Sequence, residues 1–538
     1  MNRKTFLFLT AIIFLAVILR FWQLGRVPAS PDWDEAALGY NAYSILNTGR
    51  DEYGSFLPVI LRSFDDYKPA LYVYLIIPAI KIFGLTVFAV RLPSAIFGIL
   101  TVLAAFFLVK ELFKREKIAL LTSFFLAISP WHIQFSRIAF ESNVGLSFNI
   151  FFILFFLRGL KKPAYLLLAA FFAGINLYMY QSEKVFIPLL ALGFVFIFRK
   201  EILEISKKYL VGALVIGFLI SLPLINYAII NPEAFARAKG VSVFSDQTLV
   251  KNNALKLIED KKNNDLLGLV LDNRRLVFAK TAIEGYISHF DLNWLFITGD
   301  IARHHAPGMG LLYLWELPFL LIGIFCLLFG DFYKKTKLAI FFWFLLTPIP
   351  ASITSGVPHA VRTLNFLPTF QIFTAIGIIA AATKIKIKYF VLGLSFLFLT
   401  FNFLYYLDQY FVQQDYFNSK EWQYGYESAV SRVSQLSKRY DRIIVSNKPY
   451  MDQSYIFFLF YLKYSPNLYQ KESAGVSGGF REDHRFSKFE FRPIQWAKED
   501  KNPRILYVGM PSDFSNAVRV IDEVRFLDGQ TAIRIVEG

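Results

Sequence analysis

Residues 31–69 read PDWDEAALGYNAYSILNTGRDEYGSFLPVILRSFDDYKP. Asp32, Asp34, Glu35, Asp51, Glu52, Asp65 and Asp66 crowd this stretch, together with a single lysine, Lys68. The chain on either side is apolar, beginning with the run at 5–24 and resuming at 88–110. Charge is costly at the centre of a bilayer, so an acidic segment between such runs belongs at the membrane–water boundary. The rest of the reading follows from that placement.

Hydrophobic residues make up 55% of the 538 positions and fall in long runs, the pattern of an integral membrane protein. The net charge of +16 does not indicate nucleic acid, because the basic residues sit in short groups between apolar runs. The only cysteine, Cys326, excludes an intrachain disulfide. The start, Met1-Asn2-Arg3-Lys4 and an apolar run to Leu19, resembles a signal peptide without a small-x-small cleavage site. It reads as a retained first helix.

A spanning helix needs roughly 20 apolar residues. The candidates are 5–24, 88–110, 117–135, 143–158, 163–181, 185–199, 209–230, 309–330, 337–353, 364–382 and 388–407, about eleven spans. Leu71 to Phe83 is shorter and interrupted by Pro78 and Lys81, so it reads as an interfacial or re-entrant helix. With the N-terminus inside, Lys110 to Lys117, Arg158 to Lys162, Arg199 to Lys208, Lys334 to Lys337 and Lys384 to Lys388 all face the cytoplasm. Counting 71–83 as a span would invert every later loop.

The fold expected is therefore an all-α polytopic membrane domain over 1–407, with outer loops 25–83 and 231–307. A small soluble α/β domain outside the cytoplasm follows over 408–538. Its strands read at 442–446 and 504–509, and a helix at 427–436. The loop 231–307 reads as short surface helices.

Ionisable residues avoid the span centres, with Glu316 the nearest exception, and collect at outer helix ends. Asp34, Glu35, Lys68, Arg91, Arg137, Glu141, Arg303, His304, His305, His359 and Arg362 all do so. Such a site suits a substrate with a lipid tail and a wet head. A transporter would place ionisable groups mid-span instead. Single outer carboxylates can also do no more than solvate helix ends, and loop histidines are commonly hydrogen-bonded rather than ligating. No third residue at ligand spacing accompanies His304, His305 and His359.

Three ordered blocks carry a resemblance: PDWDEAALGYNAYSIL at 31–46, DDYKPALYVYL with FGLTVFAVRLPSAIFGIL at 65–100, and SPWHIQFSRIAFESN at 129–143. They resemble the dolichyl-phosphate-mannose–protein mannosyltransferase superfamily, of GT-C fold, which includes bacterial aminoarabinose transferases. GDIARHHAPGMGLLYLWELPFLLIGI at 299–324 and PHAVRTLNFLP at 358–368 are similar to weaker blocks of the same family. The resemblance implies transfer of one sugar from a polyprenyl-phosphate carrier to an acceptor hydroxyl outside the cytoplasm. The acceptor is a protein or a glycolipid.

By the same resemblance Asp34 is the base, Glu35 its support and Glu141 a second acid. Lys68 contacts the donor phosphate, with Arg137, Arg303 and Arg362 as companions. Asp66, Tyr67, His304, His305 and His359 are candidates for substrate contact. The leaving phosphate needs cations, because negative charge develops on its oxygens, and arginine offers a bidentate fork. Tyr67 stands where the aminoarabinose branch carries an acid, which argues against that donor and against a metal there. Asp32-Trp33-Asp34 has the form of a metal-binding Asp-x-Asp, yet a lipid-phosphate donor requires no metal. No cofactor is obligatory on this reading, and a divalent metal stays an alternative.

Three other readings stay open. A lipid-pyrophosphate oligosaccharide polymerase or ligase would use several arginines of the large outer loop, such as Arg274, Arg275 and Arg303. A lipid or sugar transporter would move substrate without covalent product. A glycan-binding membrane protein would work through its tail, whereas a transferase would partly survive deletion of Asp408–Gly538.

Overall fold

The computed structural model describes residues 2–64, 66–231, 240, 242–384, 387–472, 483–515 and 518–538. Within them the chain is mostly helical, with a small mixed sheet near its C-terminal end. Each of the eleven apolar stretches contains a helix, but the helices differ in length. Six are long and apolar enough to cross a membrane: Arg3–Phe21, Val87–Phe113, Glu141–Gly159, Lys207–Ile230, Leu364–Thr383 and Tyr389–Asn418. A seventh is the bent pair Glu116–Ile128 and Pro130–Arg137, which turns by 57°. The break has a local cause. Pro130 disfavours the helical region for Ser129, which sits at φ −59°, ψ 124°, and it brings no N–H of its own.

By length and composition the described residues thus supply six or seven spans rather than eleven. Tyr165–Asn176, Glu183–Ile197, Glu316–Phe329 and Lys334–Leu346 fall short because turns, caps and loops take up part of each apolar run. The Lys207–Ile230 helix buries none of its residues, and Phe218, Leu219 and Ile229 stand exposed on it. An uncovered apolar helix of that length is matched by hydrocarbon, not water.

The chain divides into two compact units. One comprises residues 1–17, 98–133 and 142–403. It holds most of the long apolar helices and the helices Gln247–Lys262, Leu266–Leu271 and Arg274–Ser288. The other comprises residues 18–97, 134–141 and 404–538, so the acidic segment and the tail belong to the same unit.

In the tail, strands run in the order 484–486, 489–491, 442–445, 505–509, 531–537, 520–525. Arg442–Val445 pairs in parallel with both neighbours, and the remaining pairings are antiparallel. Ile444, Ile494, Ile505, Tyr507, Phe514 and Val536 form a core on this sheet.

Candidate active site

In the second unit the acidic segment folds as a helix, Trp33–Thr48, followed by a turn and a hairpin. Asp32 starts the helix: in extended backbone, its Oδ1 accepts the N–H of Glu35 at 2.9 Å. That is an N-cap, which satisfies a donor the helix cannot satisfy itself. Gly49, at φ 70°, ends it in the left-handed conformation. Past it, Asp51 Oδ1 accepts the N–H groups of Tyr53 (3.0 Å) and Ser55 (2.8 Å), closing the turn. Glu52 exchanges two hydrogen bonds with Asn41, at 2.9 and 3.0 Å. Burial raises the Glu52 carboxyl to about 8, against the opposing pull of the Asn41 hydrogen bond.

Glu35 is fully buried. Arg91 grips it with Nε at 2.9 Å and a terminal nitrogen at 2.8 Å, and the Ala139 N–H adds a third bond at 2.8 Å. Arg91 also donates to the carbonyls of Leu24, Pro28 and Ser30. The pair ties residues 24–30, the acidic helix and residue 139 to one point.

Asp34, one residue earlier, turns elsewhere. Its side chain is 31% exposed and takes a hydrogen-bonded ion pair from Lys68, whose side chain is 11% exposed. Lys68 stands on the hairpin Ile60–Ser63/Asp66–Pro69, opposite Leu61. Burial pulls the Lys68 ammonium toward neutrality, but Asp34, with Glu141 and Asp32 also acting on it, outweighs this and leaves its pKa above the ordinary value. Glu141, buried at the first position of helix Glu141–Gly159, therefore shares the electrostatic surroundings of Lys68.

The described acids of the segment thus separate by what they hold. Asp32 caps, Glu35 braces, Asp51 turns and Glu52 pins the loop, whereas Asp34, partly exposed, meets a cation. The side chain of Asp66, and Asp65 altogether, lie outside the described residues. Tyr67, half-buried, stands opposite Arg62 in the hairpin.

Arg137 is positioned differently from a phosphate ligand. It is fully buried, donates to the carbonyls of Leu19 (2.9 Å), Arg20 (3.1 Å) and Val27 (3.0 Å), and lies over the rings of Tyr410 and Phe411. Like Arg91, it braces backbone, both its terminal nitrogens donating to carbonyls.

The tail supports the acidic helix directly. Gln423 Oε1 accepts the Trp33 N–H at 3.0 Å, in the turn that carries Asp34. Gln470 Nε2 donates to Asp51 O at 2.8 Å and Ser44 Oγ at 3.0 Å. A Cβ at Gly39 would lie 2.7 Å from both Phe460 Cε2 and Val90 Cγ2, so glycine is what admits the helix Ser454–Leu462. Removing the tail would strip the acidic helix of these partners.

The other unit holds the remaining candidates. His304 Nδ1 lies 3.0 Å from Asp300 Oδ2, and the His304 and His359 rings are 5.1 Å apart. Asp300 Oδ2 also accepts the Ala360 N–H at 2.6 Å. Burial, with the Arg362 guanidinium beside it, holds the His359 imidazole well below its usual range. His305 Nδ1 is occupied by the carbonyls of Ala306 (2.8 Å) and Met309 (3.1 Å). Arg362 donates to Thr354 Oγ1 at 2.5 Å and Ser355 O at 2.6 Å, and Arg303 immediately precedes His304. The expectation that no third ligating residue accompanies the histidines fails here, because Asp300 joins them.

Residues 67–227 match the family described as Dolichyl-phosphate-mannose-protein mannosyltransferase. No curated protein matches the chain in sequence. Among solved structures, ArnT from Cupriavidus metallidurans in the apo state superposes with a TM-score of 0.55 at 12% identity, over 99% of this chain and 97% of that one. The same protein bound to undecaprenyl phosphate gives 0.56 at 11% identity, with the same coverage. The chain has the fold of ArnT over nearly its whole length.

The Archaeoglobus fulgidus oligosaccharyltransferase tethered with an acceptor peptide gives 0.50 at 14% identity. There the match covers 85% of this chain and 63% of that one. In the present protein, two residues of consequence escape a reading of the sequence. Asp300 precedes His304 by four positions, a spacing that could have flagged it. Gln423 stands 390 positions from Trp33, and nothing local marks it.

Proposed function

We propose that this protein is a membrane glycosyltransferase of the GT-C superfamily that moves a single sugar from a polyprenyl-phosphate donor to an acceptor hydroxyl on the outer face of the membrane. The observation that carries the reading is the Asp34–Lys68 pair: a partly exposed carboxylate against a lysine kept charged by its surroundings. Lys68 binds the donor phosphate. Asp34 takes the proton of the acceptor hydroxyl as its oxygen bonds to the anomeric carbon. The bond from that carbon to the phosphate oxygen breaks in the same step, and the leaving phosphate carries its charge to Lys68. One base and no nucleophilic carboxylate make a single, inverting displacement.

Asp34, and after it Glu141, favours the charged form of Lys68, and Glu35 with Arg91 fixes the helix that carries Asp34. The topology proposed with this function has an N-terminus in the cytoplasm and the site on the outer face. Arg303 and Arg362 remain candidates for donor contact, and His304, His305 and His359 for substrate contact.

The test is mass spectrometry of cell-surface proteins and lipids from cells with and without the chain. The expected result is one class of protein or glycolipid that lacks a single sugar residue when the chain is absent. Identical glycans in both, or movement of substrate across vesicles without covalent product, would contradict a transferase.

A further inference from the structure

Outside the Asp34–Lys68 site, a second cluster combines ligand chemistry with incomplete hydrogen bonding. Asp300, His304 and His359 each offer one ligand atom, and these atoms all lie within 4.8 Å of one another. Two of the residues come from the segment after Gly299 and the third from the loop before helix Thr369–Lys384. We propose that these three residues bind one divalent transition-metal ion.

Four features support it. The donor set is two imidazoles and one carboxylate, which suits zinc, cobalt or nickel; calcium and magnesium prefer oxygen alone. Bonds of about 2.0–2.1 Å to a tetrahedral ion place ligand atoms roughly 3.4 Å apart, so closure needs shifts on the order of 1 Å in side chains on loops. Next, Nδ1 of His359 is buried and makes no hydrogen bond, and buried polar atoms of that kind are rare without an explanation.

The backbone around the ligands is also braced in the way ligand shells are. The Ala360 N–H is held by Asp300 Oδ2, and the His359 N–H donates to His289 Nε2 at 3.3 Å. His289 in turn donates from Nδ1 to Gly285 O at 2.7 Å, which fixes its tautomer and leaves Nε2 as acceptor. Three protein ligands leave a fourth position open. Arg303 and Arg362 flank the cluster and oppose a dication, so the fourth ligand is an anionic oxygen, such as phosphate or hydroxide.

Cobalt(II) is the probe, because its absorption reports tetrahedral nitrogen–oxygen coordination independently of any enzymatic activity. Tag-free full-length protein in detergent is stripped with chelator and titrated with cobalt, and bound zinc is counted by atomic emission after reloading. The wild type is expected to take up one equivalent with the intense visible bands of a tetrahedral site. His359→Ala and His304→Ala are each expected to lose at least tenfold in affinity, while His305→Ala, whose Nδ1 is engaged by carbonyls, binds as the wild type. Absence of stoichiometric binding by the wild type overturns the proposal regardless of how the variants fold. Equal binding by a folded His359→Ala overturns it as well.

Discussion

Asp34→Asn is expected to lower sugar transfer by roughly 10²–10⁴-fold, the contribution of a positioned general base, while the protein accumulates and melts as the wild type does. Asparagine keeps the size and the hydrogen-bonding oxygen of aspartate but cannot accept the acceptor proton. Stability should hardly change, because Asp34 is 31% exposed and its partner Lys68 keeps Glu141 and Asp32 within electrostatic range. The assay is transfer by purified protein from a polyprenyl-phosphate sugar to an acceptor hydroxyl. An Asn variant with wild-type turnover would remove Asp34 from the chemistry.

The neighbouring carboxylate should give the opposite phenotype. Glu35→Gln leaves the Arg91 guanidinium buried without a counter-charge, and breaking a buried pair in this way costs about 3–5 kcal/mol. The expected result is loss of folded protein, read as a collapse in yield and in detergent melting temperature, before any kinetic parameter can be measured. Arg91→Ala should do the same, since it also orphans the carbonyls of Leu24, Pro28 and Ser30. Combining Glu35→Gln with Arg91→Gln removes both charges, so the double variant should be less destabilised than the sum of the two singles. A stable, inactive Glu35→Gln would instead place that carboxylate in the reaction.

These adjacent residues show how far the sequence could be read. Their acidity and their place after the first apolar run were legible, as was the cation at Lys68. The division of labour between them was not, because it depends on Arg91, 56 residues further on, and on the Ala139 N–H. Arg137 makes the same point: an arginine at an outer helix end reads as a phosphate ligand, yet both its terminal nitrogens donate to the carbonyls of residues 19, 20 and 27. Each of the eleven apolar runs marked a helix but several overstated its length, as at Tyr165–Asn176, and hydropathy does not register a break such as Ser129–Pro130. Strand and helix patterns in the tail were visible locally. Its grip on the acidic helix through Gln423 and Gln470 is a long-range contact with no periodicity to betray it.

In the resting protein Lys68 is engaged by Asp34, so a donor phosphate must take the lysine from the carboxylate before the carboxylate can act as a base. Binding and chemistry should therefore respond in opposite directions to one substitution. The decisive measurement is the affinity of polyprenyl phosphate for the wild type, Asp34→Asn and Lys68→Gln in detergent or nanodiscs. Asp34→Asn should bind the lipid phosphate several-fold more tightly than the wild type although its sugar transfer is strongly reduced, and Lys68→Gln should bind it at least tenfold more weakly. Wild-type affinity in Lys68→Gln, or affinity lost together with turnover in Asp34→Asn, would contradict a donor phosphate seated on this pair.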